Sequence, residues 1–262
     1  MTRVDSAPAH VHVTQSGKFD VVIPAAGKGL RLGGDIPKQY LTLNGQALLS
    51  HTLQRVLKLH PRRVVLVVSE DDELWRNVPE ASSCEVVPGG TTRAESVLNG
   101  ILALDADPDQ TEWVMVHDAA RPCIREKDVA QLVSAVGDHA VGGILGARIV
   151  ETVKHAMDGV ILDTFDRDKL WLAQTPQLFR RDLLKAALTE ALSPETSKSN
   201  TASDVRAMVI TDESSALEKQ GLKPLMVEGS KDNIKVTSAT DLALAAFYLN
   251  QQLAEAEQAL KG

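Results

Sequence analysis

The chain has 262 residues, enough for one large α/β domain or two small ones. With 44% hydrophobic and 24% charged residues it has the composition of an ordinary soluble globular protein. A net charge of −7 argues against a nucleic-acid surface, and no apolar run approaches the roughly 18 residues of a membrane span, so any phosphate site must be local.

Residues 1–18 lack the continuous apolar core of a signal peptide and read as a disordered extension to a single domain over 19–262. Short β-branched runs then alternate with helical patterns. FDVVIP (19–24), RRVVLVVS (62–69), CEVV (84–87), EWVMVHDA (112–119) and HAVGGILGA (139–147) read as strands. Between them ALLSHTLQRVLKLH, TTRAESVLNGILAL and EKDVAQLVSAVGDH space their apolar residues by three and four, as helices packed on a sheet do. This alternation predicts an α/β fold with a mostly parallel twisted sheet covered on both faces. Ligands of such sheets bind beyond the carboxyl ends of the strands, where residues 25–38 and HDAARP (117–122) emerge.

The rhythm breaks after about residue 147. Met157-Asp158-Gly159 is a hairpin-turn signal between two extended stretches, giving an arm over about 148–170. An isolated two-stranded hairpin is seldom stable, so the arm is expected to pack on something, such as a second subunit. There follow a helix (RDLLKAALTEAL), a polar stretch expected to be a flexible loop (193–204), and a helix in ITDESSALEKQG closed by Gly221. KPLMVEG reads as a last strand, and a final helix starts at Ser238 with Asp241 three residues on. Cys84 and Cys123 show no metal-ligand spacing and read as reduced thiols of a cytoplasmic protein.

The stretch VVIPAAGKGLRLGGDIPKQY (21–40) leaves a strand into a loop with four glycines. It is not a Walker loop, since no Lys-Ser or Lys-Thr follows a glycine, and the spacing of Gly27 and Gly29 does not complete GxGxxG. Pro37 opposes a helix begun at the loop, so the chain stays open as far as Lys38. Such a loop suits a nucleoside triphosphate: glycines let backbone N–H groups approach phosphates while Arg31 and Lys38 neutralise charge. A solvated loop with ordinary surface cations is the alternative. Two other features are equally double-edged. Gly89-Gly90 before Thr91–Ser96 is either a capped helix start or a set of N–H groups for a pyrimidine or phosphate. Asp118, ending an apolar strand, either caps a turn or does chemistry. His117 reads as structural.

PAAGKGLRLGGDIPKQY resembles the signature of the 2-C-methyl-D-erythritol 4-phosphate cytidylyltransferases. GGTTRAESV (89–97), VHDAARP (116–122), ETVK (151–154), TPQLF (175–179), TDESSALE (211–218) and VEGSKDNIKVT (227–237) continue the resemblance in the family order, from residue 19 to about 249. It implies a Rossmann-like nucleotidyltransferase fold with a β-hairpin arm, a homodimer joined through that arm, and CMP transfer from CTP to methylerythritol phosphate with Mg²⁺ or another divalent cation. Arg31 and Lys38 would stabilise the transition state. Pro24, Ala25, Ala26, Gly27 and Gly29 would wrap the nucleotide, Gly90, Thr91 and Ser96 would meet the base, and Asp118 and Ala119 would reach the ribose and metal. Many relatives carry an acid where this chain has Thr91. Arg121, Thr152, Arg167, Thr175 and Lys235 would hold the acceptor, with arm residues given by the partner subunit. The alternatives are a cytidylyltransferase for another polyol phosphate, such as ribitol 5-phosphate, or a non-catalytic nucleotide-binding module.

Overall fold

The computed structural model describes residues 17–27, 36–107, 111–193 and 210–261. Most of the expected extension and of the polar stretch, and the glycine loop from 28 to 35 with Gly29 and Arg31, lie outside the described residues. The first half of the chain runs β1 (Asp20–Pro24), β2 (Thr42–Leu43), β3 (Gln46–Ala47), α1 (Leu48–Leu57), β4 (Val64–Val68), β5 (Glu85–Pro88) and α2 (Arg93–Leu104). Then come β6 (Trp113–Val116), α3 (Glu126–Val136), β7 (Gly142–Arg148), β8 (Val153–Met157), β9 (Val160–Phe165) and β10 (Trp171–Arg180). The described chain closes with α4 (Arg181–Ala191), α5 (Glu213–Lys219), β11 (Leu225–Glu228) and α6 (Ala239–Ala259).

Seven strands form one sheet in the order β11-β7-β10-β6-β1-β4-β5. Every pairing is parallel except the two made by β10, so the expectation of a mostly parallel sheet holds. Alternation along β1 sends Val21 and Ile23 into one core layer with Leu49, Leu53 and Leu132, and Val22 into the other with Ile101, Leu104 and Leu184. Each such buried aliphatic side chain contributes about 1.5–3 kcal/mol. Helix α2 lies so close to β1 that a Cβ on Gly100 would stand 2.5 Å from Val22 Cγ1; glycine is what allows this approach.

β10 is a strand that the sequence reading did not see. Its segment Gln174–Gln177 is polar and contains a proline, which argues against a central strand. The structure accommodates it because the pairing with β7 shifts register between Ala173 and Gln177, the stretch that holds Pro176. The short β2–β3 pair was not expected either, and the other elements fall within a few residues of their expected bounds. Asp158 and Gly159 turn the β8–β9 hairpin at φ 50° and 80°, the left-handed pair a two-residue turn needs. The Ser238–Asp241 capping box opens α6, and Thr92 with Glu95 forms another at α2.

Candidate active site

The carboxyl ends of β1, β5 and β6 open into one cleft. Pro24 to Gly27 follow β1, Gly90 to Arg93 follow β5, and Asp118 to Ala120 follow β6; Lys38 and Lys235 complete the lining. This is the position expected of a ligand on a parallel sheet.

Local hydrogen bonds shape the nucleotide side. The Gln39 amide donates to the carbonyl of Ala25 at 2.8 Å, tying PKQ to the start of the glycine loop, while Ala25 N–H donates to Val67. The two loops nearly touch: a Cβ on Gly89 would lie 2.5 Å from the Ala26 Cβ. Ser96, buried, accepts from Gly90 N–H at 3.1 Å and donates to the Thr92 carbonyl at 2.9 Å. Thr91 spends both its N–H and its hydroxyl on Glu95 Oε2, at 2.6 and 2.5 Å. Its side chain therefore belongs to the helix cap.

Asp118 is the electrostatic centre. Its Oδ1 accepts from Arg93 Nε and Nη2 at 3.2 and 2.9 Å, and its Oδ2 faces Lys235 Nζ at 2.9 Å and Arg121 Nε at 3.5 Å. Burial alone would raise its carboxyl, but Arg93, Lys235 and Arg121 together pull it well below the usual carboxylate range. Lys38 Nζ donates to the carbonyl of Val236, next to Lys235, at 3.3 Å. Both lysines thus converge on the strip 235–236, itself anchored by Val236 N–H on Ala120 and by the Arg121 donation to Asn233.

Asp118 is the side chain that the family resemblance offers as a metal ligand. Both of its oxygens already face cations, and a divalent ion there would meet three positive side chains. Among the described residues no group of three or more His, Cys, Asp or Glu side chains could hold a metal. Arg121 and Thr175, expected to hold the acceptor, lie against Asp118. Arg121 is buried and donates to the carbonyls of Asn233 and Ala173; Thr175 is buried with its hydroxyl between Asp118 N–H and His117 Nδ1. Both support Asp118 from beneath. Thr152 and Arg167 sit exposed on the arm region and do not line the cleft within one chain; Arg167 donates to the carbonyl of Val150.

His117 is structural, as expected, and pH-sensitive. Burial pushes it down to about 4, from about 6.5 in an unfolded chain. The unfolded chain takes up a proton that the folded chain refuses, so stability is full above pH 6.5 and falls as pH drops towards 4, by about 3 kcal/mol in all. Urea unfolding of wild type and His117→Gln at neutral and acidic pH checks this. An equal acid loss in both would place the effect elsewhere.

Arg93, Gln39 and Glu213 went unassigned in the sequence. Gln39 stood in PKQ, but its partner Ala25 lies 14 residues away. Arg93 lines the cleft and bridges Asp118 to Glu213, 25 and 120 residues distant, a link that no spacing announces.

A cleft at the carboxyl ends of parallel strands, lined by Pro24–Gly27 and Gly90–Arg93 and by the cations Lys38 and Lys235, is the arrangement of a nucleotidyltransferase. Comparison with known proteins specifies which. The family model of 2-C-methyl-D-erythritol 4-phosphate cytidylyltransferase matches residues 19–251, and the chain belongs to that family. A relative of that name from Vibrio vulnificus (strain YJ016) is 43% identical over 236 residues, covering 88% of this chain and 94% of its own. A crystal structure of 4-diphosphocytidyl-2C-methyl-D-erythritol synthase superposes with a TM-score of 0.73 at 35% identity, covering 90% of this chain and all of its own. The Francisella tularensis 2-C-methyl-D-erythritol 4-phosphate cytidylyltransferase gives 0.69 at 35% identity, over 88% of this chain and 100% of its own. The family's activity is a cytidylyl transfer in isoprenoid biosynthesis.

Proposed function

We propose that the protein transfers CMP from CTP to the phosphate of 2-C-methyl-D-erythritol 4-phosphate, giving 4-diphosphocytidyl-2-C-methyl-D-erythritol and pyrophosphate. The observation that carries this reading is the convergence of Lys38 and Lys235 over Asp118 in one cleft. A phosphomonoester has a second pKa of about 6, so the acceptor oxygen arrives anionic and needs no general base. A bond forms from that oxygen to the α-phosphorus; the bond from the α-phosphorus to the bridging oxygen breaks, and its electron pair leaves with pyrophosphate. The work is to bring two anions together and stabilise the charge that develops. Lys38 and Arg31 do this at the α-phosphate, and Lys235 with Arg167 orients the acceptor. Gly29 belongs with residues 24–27 around the triphosphate, and Ala119 faces the ribose. A divalent cation such as Mg²⁺ would come with the triphosphate and offset part of its charge, and Asp118 is the side chain that would face it.

The arm completes the site from a second subunit in this reading. Met157, Val160, Ile161 and Phe165 of the hairpin are 48–63% exposed, an apolar surface that suits a homodimer interface. Cytoplasmic residence fits the two unpaired thiols, whose ionisation burial pushes up to about 12.

The test is pyrophosphate release with CTP and Mg²⁺ against methylerythritol phosphate, ribitol 5-phosphate and other polyol phosphates. Fastest release with the first supports the reading; release with ribitol 5-phosphate alone transfers it to another acceptor.

CTP should be preferred to UTP. Cytosine carries a donor amine at ring position four where uracil carries an acceptor, and a fixed backbone carbonyl of loop 24–27 or turn 89–96 is left unpaired by uracil. Such a mismatch costs about 1–3 kcal/mol, roughly 10- to 100-fold. Because the Thr91 hydroxyl is held by Glu95, Thr91→Ala should leave the kcat/KM ratio of CTP to UTP nearly unchanged. Collapse of the preference in that variant would assign base reading to the side chain.

A further inference from the structure

The segment TDESSALE has no task in the reaction so far, yet it brings Glu213 behind Arg93, one residue back from the cleft. Glu213 is 1% exposed, and its two carboxylate oxygens take the two terminal nitrogens of Arg93. Its position is rigid. Asp212 and Ser215 form a capping box at the start of α5, and Gln177 of β10 accepts from Ser214 N–H and donates to Asp212. Beyond Arg93 the charges alternate: Arg93 on Oδ1 of Asp118, and Lys235 on its Oδ2.

The sharing of the Arg93 fork decides how Asp118 is used. A guanidinium prefers to grip one carboxylate with two parallel bonds. Here Arg93 makes that bidentate pair with Glu213, so it reaches Asp118 through a single oxygen. The second oxygen of Asp118 is left to hold the Lys235 ammonium. Without the negative charge at 213, Arg93 would close its fork on both oxygens of Asp118 and displace Lys235.

We infer that Glu213 is a positioning residue for the acceptor phosphate, acting through Arg93 and Asp118 on the placement of Lys235. This rests on the proposed role of Lys235 towards the acceptor. Glu213 does not line the cleft and has no contact with either substrate to lose.

Glu213→Gln keeps the shape and removes the charge. The KM for methylerythritol phosphate should rise about tenfold and the KM for CTP less than about twofold. In a Lys235→Met background, Glu213→Gln should add less than about a twofold loss in acceptor kcat/KM, because the residue through which it acts is gone. A full tenfold further loss in that background, or an equal rise in both KM values, overturns the inference. If Glu213→Gln does not fold, Glu213→Asp, whose carboxylate is one carbon too short to hold the Arg93 fork, passes through the same cycle with the same two outcomes. A wild-type enzyme that ignores methylerythritol phosphate would instead overturn the underlying functional reading, and the wild type alone reveals that.

Discussion

Lys38→Ala should lower the rate of the chemical step by about 10²–10³ while weakening CTP binding far less, as removal of one preorganised charge contact at a transition state does. The Lys38 ammonium is already directed across the cleft, donating to Val236 beside Lys235, so it needs little rearrangement to meet an α-phosphate flanked by the acceptor. Charge on the phosphoryl group is largest at the transition state, so the interaction is stronger there than in the CTP complex. Arg31→Ala is expected to behave alike, on its place in PAAGKGLR beside the same triphosphate. Single-turnover kinetics at saturating CTP separates binding from chemistry. A near wild-type rate for Lys38→Ala would remove the residue from the transition state.

Mixing Lys38→Ala chains with Arg167→Ala chains should restore activity that neither has alone. Arg167 and Thr152 do not line the cleft of their own chain, and the hairpin between them leaves its apolar side chains exposed. If the arm reaches the partner's cleft, a heterodimer holds one site with both defects and one with neither. Equal mixing then yields about half heterodimers, and thus about a quarter of wild-type activity. Subunit exchange is followed with differently tagged chains. Confirmed exchange with no return of activity would show that each site is built from one chain.

The nucleotide side of the site was legible in the sequence because it is local. Three turns at 24–27, 90–96 and 118–119 line the cleft, and each announces itself by glycines or by the end of an apolar run. The acceptor side was only partly legible. Lys235 was named and lines the cleft, while Arg121 and Thr175 lie buried against Asp118, since identity and order say nothing about which way a side chain faces.

Strand–helix alternation, sheet class and family were all determined by the sequence itself. Hydrophobic period and turn chemistry act over a few residues, and seven motifs in one order identify a family without any distance. The tertiary structure alone decided that β10 runs antiparallel inside the sheet, because its polar, proline-containing stretch has no strand signal and is tolerated only where the pairing with β7 shifts register. It alone decided, too, that Asp118 sits among cations. The charges around it come from residues 93, 121 and 235, with Glu213 behind them, brought within bonding distance only when α2, α5 and the 230–237 strip pack around the end of β6. Coulombic coupling depends on separation in space, and separation in space is what a linear order of residues does not contain.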